Sequence, residues 1–179
     1  MISNGVNKPV VAAVVAIGRN RELGKDNRLL WKIPDDVQRF RDLTRGHPLI
    51  LGRKTFESIL SYRGSPLPDR TNIVITRDKD WKYEGLPAQA GVIVTHSFKE
   101  ALEKAKEAAG SDEIHIGGGA ELYKEALPLI DKLYLTLIDA EGEADTFFPP
   151  YEKEFTRKLS EESHKWNGIK YRFVDLERA

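Results

Sequence analysis

Six short runs of aliphatic and β-branched residues recur along this chain, with helical patterns between most of them. That alternation restricts the fold more than any other feature. The runs are Val10–Ile17, Pro48–Leu51, Asn72–Thr76, Val92–Thr95, Glu113–Ile116 and Leu133–Ile138. Runs that are apolar throughout, instead of alternating with polar residues, suit strands buried on both faces. The spacing predicts helices from Pro34, over about Arg53–Leu60 and Phe98–Ala108, and again after Gly119. Ser97 and Glu100 make a capping box for the third of these, whose stripe is Phe98, Ala101, Leu102 and Ala105. The tail differs: Asn167-Gly168 is a two-residue hairpin signal before the extended run Ile169–Leu176. The expected fold is therefore α/β. It has a mostly parallel central sheet, helices on both faces and an antiparallel C-terminal hairpin on one edge. In such sheets ligands bind beyond the carboxyl ends of the strands.

With 179 residues the chain supports one domain with a real core, expected over 9–179. Formal net charge is zero and no basic run is present, which argues against a general nucleic-acid binder. There are no cysteines, so disulfides, thiolate metal sites and cysteine nucleophiles are excluded. His47, His96, His115 and His164 are scattered without metal-binding spacing, and no metal is expected. The apolar run after Lys8 is too short to span a bilayer and has no small-residue cleavage site after it. We read the protein as cytoplasmic, with no membrane partner and with residues 1–8 as a flexible extension.

The helix from Pro34 carries an anomaly. Proline suits a first turn, where its missing N–H would be unpaired anyway. At about 100° per residue, Val37, Phe40, Leu43 and Thr44 share one sector roughly 120° wide, and Asp36 falls inside it. Asp35 falls outside, four residues before Arg39, and reads as a solvated acid with an i,i+4 partner. Asp36 reads as an acid walled by Trp31, Ile33 and Phe40. A carboxylate so placed is costly unless something donates hydrogen bonds to it, and its pKa tends to rise. Taken alone, the segment leaves open the plainer reading that both acids simply favour a helix N-terminus.

Three strand ends suit phosphates. In Leu51-Gly52-Arg53-Lys54-Thr55 a strand runs through glycine into a helix start bearing two cations and a hydroxyl. In Ile75-Thr76-Arg77 a hydroxyl and a guanidinium suit a phosphate monoester, the group that distinguishes NADP from NAD. In Ile116-Gly117-Gly118-Gly119 three glycines between a strand and a helix allow close backbone approach to a ligand. The last is neither a Gly-x-Gly-x-x-Gly fingerprint nor a P-loop.

Together these segments resemble the dihydrofolate reductase family. In order they are the strand ending in Ala16, Leu23-Gly24, Lys25-Asp26-Asn27 and Leu30-Trp31-Lys32-Ile33-Pro34-Asp35-Asp36. Then come Leu51 through Ile59, Leu67-Pro68-Asp69-Arg70-Thr71-Asn72 and Ile116-Gly117-Gly118-Gly119. Tyr134-Leu135-Thr136 and Asp145-Thr146-Phe147-Phe148-Pro149 complete the series. The resemblance implies NADPH as cofactor, dihydrofolate as substrate and antifolates as inhibitors. It also implies a monomer whose residues 48–115 or so form an adenosine-binding subdomain. Asp36 would be the active-site acid, supported by Trp31 and Thr136. Val15, Phe40, Ile59, Leu67 and Ile116 would wall the substrate, and Arg70 would grip its glutamate carboxylate. Ala16, Leu23, Ile116 and Tyr123 would surround the nicotinamide, with Gly117 and Gly118 as a cis pair followed by Gly119. Gly52, Arg53, Lys54, Thr55, Thr76 and Arg77 would hold the cofactor phosphates. Leu29, Leu30, Phe56 and Ala120 depart from the commonest pattern, and the stretch from Ser61 to Ser65 is longer than in short members.

The implied reaction delivers hydride to C6 of dihydrofolate while N5 takes a solvent proton, with the Asp36 anion stabilising the protonated ring. Two alternatives are a pyrimidine reductase of riboflavin synthesis and a nucleotide-binding module without catalysis. The first has no need of the Trp31…Asp36 segment with Arg70, and the second predicts cofactor binding without folate-dependent oxidation of NADPH.

Overall fold

The computed structural model describes residues 7–85 and 91–179. The first part of the chain gives β1 (Val10–Ile17), β2 (Glu22–Lys25), β3 (Arg28–Leu29), α1 (Pro34–Thr44), β4 (Leu49–Gly52) and α2 (Arg53–Arg63). β5 (Asn72–Ile75), β6 (Val92–Thr95), α3 (Phe98–Glu107), β7 (Glu113–Ile116) and α4 (Ala120–Ala126) follow. The last part holds β8 (Lys132–Ile138), β9 (Thr146–Phe147), β10 (Arg157–Trp166) and β11 (Ile169–Glu177). All six predicted strands and all four predicted helices are present, with ends shifted by a few residues at most. Residues 1–6 of the expected N-terminal extension lie outside the described residues.

Eight strands form one sheet in the order β10-β11-β8-β1-β7-β4-β5-β6. From β8 to β6 every pairing is parallel, while β11 runs antiparallel to β8 and β10 antiparallel to β11. The hairpin turn has Asn167 and Gly168 both at positive φ, as a two-residue turn of the favoured twist requires. The chain leaves β1 for β4, winds outward to β6, and returns as β7 between β1 and β4. Crevices form where a sheet reverses in this way.

Strand alternation divides the core. Val11, Ala13, Val15 and Ile17 of β1 join the cluster with α3 and α4, which includes Phe98, Ala101, Leu122 and Tyr123. Ala12 and Val14 face the other layer, where Phe40 and Leu43 of α1 pack. α2 adds Phe56 and Ile59 to that second layer, against Leu49, Leu51 and Val74. Two helix ends carry local signals. The Ser97 hydroxyl accepts a hydrogen bond from the Glu100 N–H, although the Glu100 carboxylate reaches the His96 N–H instead of closing the capping box on Ser97. Gly64 ends α2 in the left-handed region, its N–H bonded to the Leu60 carbonyl.

A second sheet, order β3-β2-β9, was not expected. It fastens the segment after β1 to the segment after β8. The Asp145 N–H reaches the Gly24 carbonyl at 3.0 Å, and the Asp26 N–H reaches the Asp145 carboxylate at 2.9 Å.

Candidate active site

Asp36 and Thr136 meet beneath α1. The Thr136 hydroxyl donates to the Asp36 carboxylate at 2.6 Å, joining the first turn of the helix to β8. Thr136 is buried, held by pairing with Ala16 on one side and Phe173 on the other. Burial pushes the Asp36 carboxyl above the ordinary aspartate range; the Thr136 hydrogen bond and the charge of Arg39 pull against it.

The expected pairing of Asp35 with Arg39 does not form. Asp35 instead accepts a hydrogen bond from the Tyr171 hydroxyl at 3.2 Å. Burial, with that bond to Asp35, pushes the Tyr171 phenol up to about 12. Arg39 turns to β11 and meets Asp175 at 2.5 Å. The sheet offers it a carboxylate in a drier setting than the helix surface does, and a charge pair is stronger there.

Apolar side chains flank the acid along the chain, at Trp31, Ile33 and Phe40. Trp31 and Ala16 pack with Ile33, Ile138 and Tyr171. Phe40 packs with Leu49, Leu51, Phe56, Ile59 and Leu67. Val15 and Ile116 belong to the cluster containing Tyr123. The expected Val15 wall is thus corrected: alternation along β1 turns that side chain to the other layer, and Val14 lies on the side of Phe40. Leu23 also packs against the Tyr123 cluster, and the Tyr123 hydroxyl donates to the Val14 carbonyl at 2.9 Å. Two glycines leave room for the loops over Trp31. A Cβ on Gly18 would lie 2.7 Å from the Trp31 ring, and one on Gly142 would lie 3.2 Å from Leu30.

The glycine turns after β4 and β7 are tied together, since the Gly52 N–H donates to the Gly118 carbonyl at 2.8 Å. A Cβ on Gly117 would come within 2.7 Å of Leu51, so only glycine fits there. One on Gly119 would stand 3.3 Å from the Thr55 hydroxyl. α2 opens beside this turn with no side-chain cap and no acid in its first turn, leaving its N–H groups unopposed by a carboxylate there. Arg53 at its start lies 3.4 Å from Asp78 and 3.7 Å from Glu57. Lys54 and Arg77 are exposed, and the Lys54 carbonyl receives the Asn27 amide at 3.5 Å. Thr76 is buried, its hydroxyl accepting from the Asp78 N–H at 3.1 Å to shape the turn after β5.

Arg70 stands at the far end of the apolar wall. Its Nε donates to the Pro68 carbonyl at 2.7 Å; its Nη1 donates to the Arg41 carbonyl at 3.0 Å and to the Thr44 hydroxyl at 2.5 Å. Burial, with Arg45, Arg63 and Arg41 nearby, lowers its pKa to about 10, which still leaves it cationic at neutral pH. An acid and a fixed guanidinium thus stand at opposite ends of α1 beside apolar walls, with paired glycine turns at the ends of β4 and β7.

The dihydrofolate reductase family model matches residues 10–178. The dihydrofolate reductase of Haemophilus influenzae is 44% identical, covering 92% of this chain and 96% of its own length. The type 3 dihydrofolate reductase of Salmonella typhimurium is 38% identical over 94% of this chain and 98% of its own. The chain belongs to the dihydrofolate reductase family. A solved dihydrofolate reductase from Enterococcus faecalis, complexed with NADP(H) and RAB-propyl, superposes with a TM-score of 0.80 at 34% identity. That likeness covers 94% of this chain and 96% of the other.

Within this family's pattern one expected detail moves. The cis peptide joins Gly118 to Gly119 instead of Gly117 to Gly118. Gly118 has φ +110°, where a residue with a side chain would be strained, so three glycines in a row let the turn be set one junction later. Sequence reasoning also missed an acid that turns inward. Glu22, fully buried, accepts from the Asn20 backbone at 2.8 Å and shapes the loop beside Gly18. Backbone and Asn20 hydrogen bonds hold its carboxyl below the ordinary range even though burial opposes them. A charged residue between Arg21 and Leu23 gave no hint that it turned inward. Among the described residues no cluster has the makings of a metal site, and no helix is long and apolar enough to cross a membrane.

Proposed function

We propose that this chain reduces 7,8-dihydrofolate to 5,6,7,8-tetrahydrofolate at the expense of NADPH, with Asp36 as the acid that holds the pterin. The observation that carries the assignment is the Asp36–Thr136 hydrogen bond at 2.6 Å beside apolar walls, at the opposite end of α1 from Arg70. NADPH, when bound, supplies the hydride for C6. The chain's own residues bind, orient and exclude water.

The unpaired N–H groups of α2, with Arg53, Lys54 and Thr55, fit phosphate oxygens, and Thr76 and Arg77 fit the further phosphate of NADPH. Gly117, Gly118 and Gly119 let the backbone approach the cofactor, with Ala16, Leu23 and Tyr123 around its nicotinamide. Residues 48–115 would form the adenosine-binding part. An ionised Asp36 accepts hydrogen bonds from the pterin's amino group and ring nitrogen and stabilises positive charge on the ring as N5 takes a solvent proton. Trp31, Phe40, Ile59 and Leu67 keep water from weakening that interaction, whereas Ile116, like Val15, turns to the layer of Tyr123. Antifolates bearing a basic aminopyrimidine would engage the same carboxylate. We read the protein as a cytoplasmic monomer with no nucleic-acid or membrane partner.

Mixing the protein with NADPH and dihydrofolate should give loss of NADPH absorbance that a methotrexate-like antifolate blocks. Asp36→Asn should lower turnover at neutral pH by roughly 10²–10³-fold while cofactor affinity persists. Wild-type turnover in that variant would overturn the assignment of Asp36. Cofactor binding without folate-dependent oxidation in the parent protein would overturn the activity itself.

A further inference from the structure

Arg39 lies one turn along α1 from Asp36. Its side chain is only 17% exposed and that of its partner Asp175 only 21%. The guanidinium is fixed on several sides. Nη2 meets the Asp175 carboxylate at 2.5 Å and Nη1 donates to the Leu135 carbonyl at 3.3 Å. Its carbon stands 4.6 Å from the centre of the Phe173 ring and 5.9 Å from that of Tyr134. The strand register places this cluster beside the acid's support: Phe173 pairs with Thr136, and Asp175 pairs with Tyr134. A half-buried ion pair is a poor device for docking a helix. Its desolvation offsets most of its attraction, and apolar residues of similar volume would serve as well or better.

We propose that Arg39 is a positioning residue for the reaction: clamped by Asp175, Leu135 and Phe173, its immobile positive charge keeps the nearby Asp36 carboxylate ionised. The proposal rests on the reading of Asp36 as the acid that holds the pterin. Several other groups surround that acid. Asp35 adjoins it on α1 and is bonded to Tyr171 of β11. Thr136 and Tyr134 come from β8, Asp175 from β11 and Tyr123 from α4, whose phenol the Asp36 charge helps to keep protonated. Among the described residues, Arg39 brings positive charge to bear on Asp36. Asp175 has two effects, holding the guanidinium in place and offsetting part of its charge.

A docking role and an electrostatic role predict different results. Docking alone would change stability and leave the acid's titration where it is. The test compares the parent with Arg39→Met/Asp175→Leu, which keeps the contact apolar and filled, with Asp175→Asn, and with Arg39→Lys as the conservative rescue. The Asp36 carboxyl is followed by carbon-13 NMR, assigned by its loss in Asp36→Asn, alongside the pH profile of kcat/KM. The apolar pair should move the Asp36 midpoint to higher pH by about half a unit to one unit. Asp175→Asn should move it lower, Arg39→Lys should stay near the parent, and the acid limb of kcat/KM should follow each. Coincident midpoints in the parent and the apolar pair would overturn the proposal. So would shifts of the same sign in the apolar pair and Asp175→Asn. A midpoint that moves while the activity limb stays fixed would overturn it by a separate route, through the role given to Asp36.

Discussion

Thr136→Val isolates one hydrogen bond in the site. The substitution exchanges a hydroxyl for a methyl group of nearly the same volume, so β8 keeps its packing and Asp36 loses its donor. The bond lost is short, 2.6 Å, and ends on a carboxylate whose pKa is raised by burial. Hydrogen bonds to charged groups contribute about 1.5–3 kcal/mol, which is roughly ten- to hundred-fold in the ionisation equilibrium of the acid. The sign follows from which form is bonded. The hydroxyl stabilises the ionised carboxylate, so its removal favours the protonated acid and moves the acid limb of kcat/KM to higher pH. The reaction also needs a proton at N5, which becomes scarce as pH rises. The working range is therefore squeezed from the acid side, and activity at neutral pH falls even though no residue touching the cofactor has changed. Initial rates of NADPH oxidation, measured across the acid and neutral range with saturating cofactor, report the limb directly. Thr136→Ser, which keeps the hydroxyl, should restore its position. Profiles for parent and Thr136→Val that coincide in position and differ only in height would refute the reasoning.

Other perturbations separate the remaining roles. Arg70→Ala should raise KM for dihydrofolate by roughly 10²–10³-fold, as truncating one partner of a desolvated charge pair does, yet change little with a pterin lacking the glutamate tail; equal losses with both substrates would count against the carboxylate grip. Arg77→Ala should weaken NADPH by roughly ten- to hundred-fold and NADH much less, since only NADPH carries the extra phosphate. Competition between the two cofactors measures this, and an unchanged preference would reject Arg77 as its partner. The third test concerns His115 of β7, which is fully buried. It lies 3.2 Å from Glu113 out of hydrogen-bonding alignment. Burial, aided by His47, Lys132 and Arg70, lowers its pKa to about 3. The unfolded chain then binds the extra proton first, so stability is full above the ordinary histidine pKa near 6.5 and is lost as pH falls towards 3. The loss should amount to a few kcal/mol in urea unfolding. His115→Leu should flatten that slope, and an unchanged slope would dismiss His115 as its source.

The sequence carried the sheet because its six parallel strands are apolar on both faces, and the helices because their stripes and caps are local signals. It did not carry β2, β3 and β9. Those strands are two to four residues long, and they exist because Gly24 and Asp145 meet across the fold. β10 was legible only through the Asn167-Gly168 turn that pairs it with β11, since Lys158 to Ser163 has no apolar alternation of its own. In the site, Asp36 stood out because helical phase put a carboxylate among apolar residues. Arg39 did not, because an arginine four residues after Asp35 looks like an ordinary helix surface pair. Its true partner, Asp175, lies on the last strand, and only tertiary structure decides between the two carboxylates. Val15 was misplaced for a related reason. Resemblance fixes which stretch of β1 lines a cleft, whereas the choice between neighbours depends on which face each side chain takes.

The acid to which we assign the pterin should weaken the fold. Burial holds the folded Asp36 carboxyl above its ordinary value of 3.8. Between 3.8 and that raised value the folded chain binds a proton that the unfolded chain has released. Stability from this group is therefore present at low pH, falls as pH rises through the window, and stays reduced at neutral pH, where the carboxylate is charged in both states. Asparagine has no charge to desolvate, and its amide oxygen can still accept from Thr136. Asp36→Asn should thus be more stable than the parent at neutral pH in urea unfolding, with the gap closing as pH falls below the ordinary aspartate value. A variant less stable at neutral pH would show that Thr136 and Arg39 more than offset the cost of burial, and the acid would then be a structural asset. The expected result separates two kinds of buried polar group in this chain. Asn72 is buried and ties the Leu67 carbonyl at 3.0 Å to the start of β5, serving the fold. Asp36 sits where an apolar side chain would serve the fold better, and the ligand role we propose for it would explain its place.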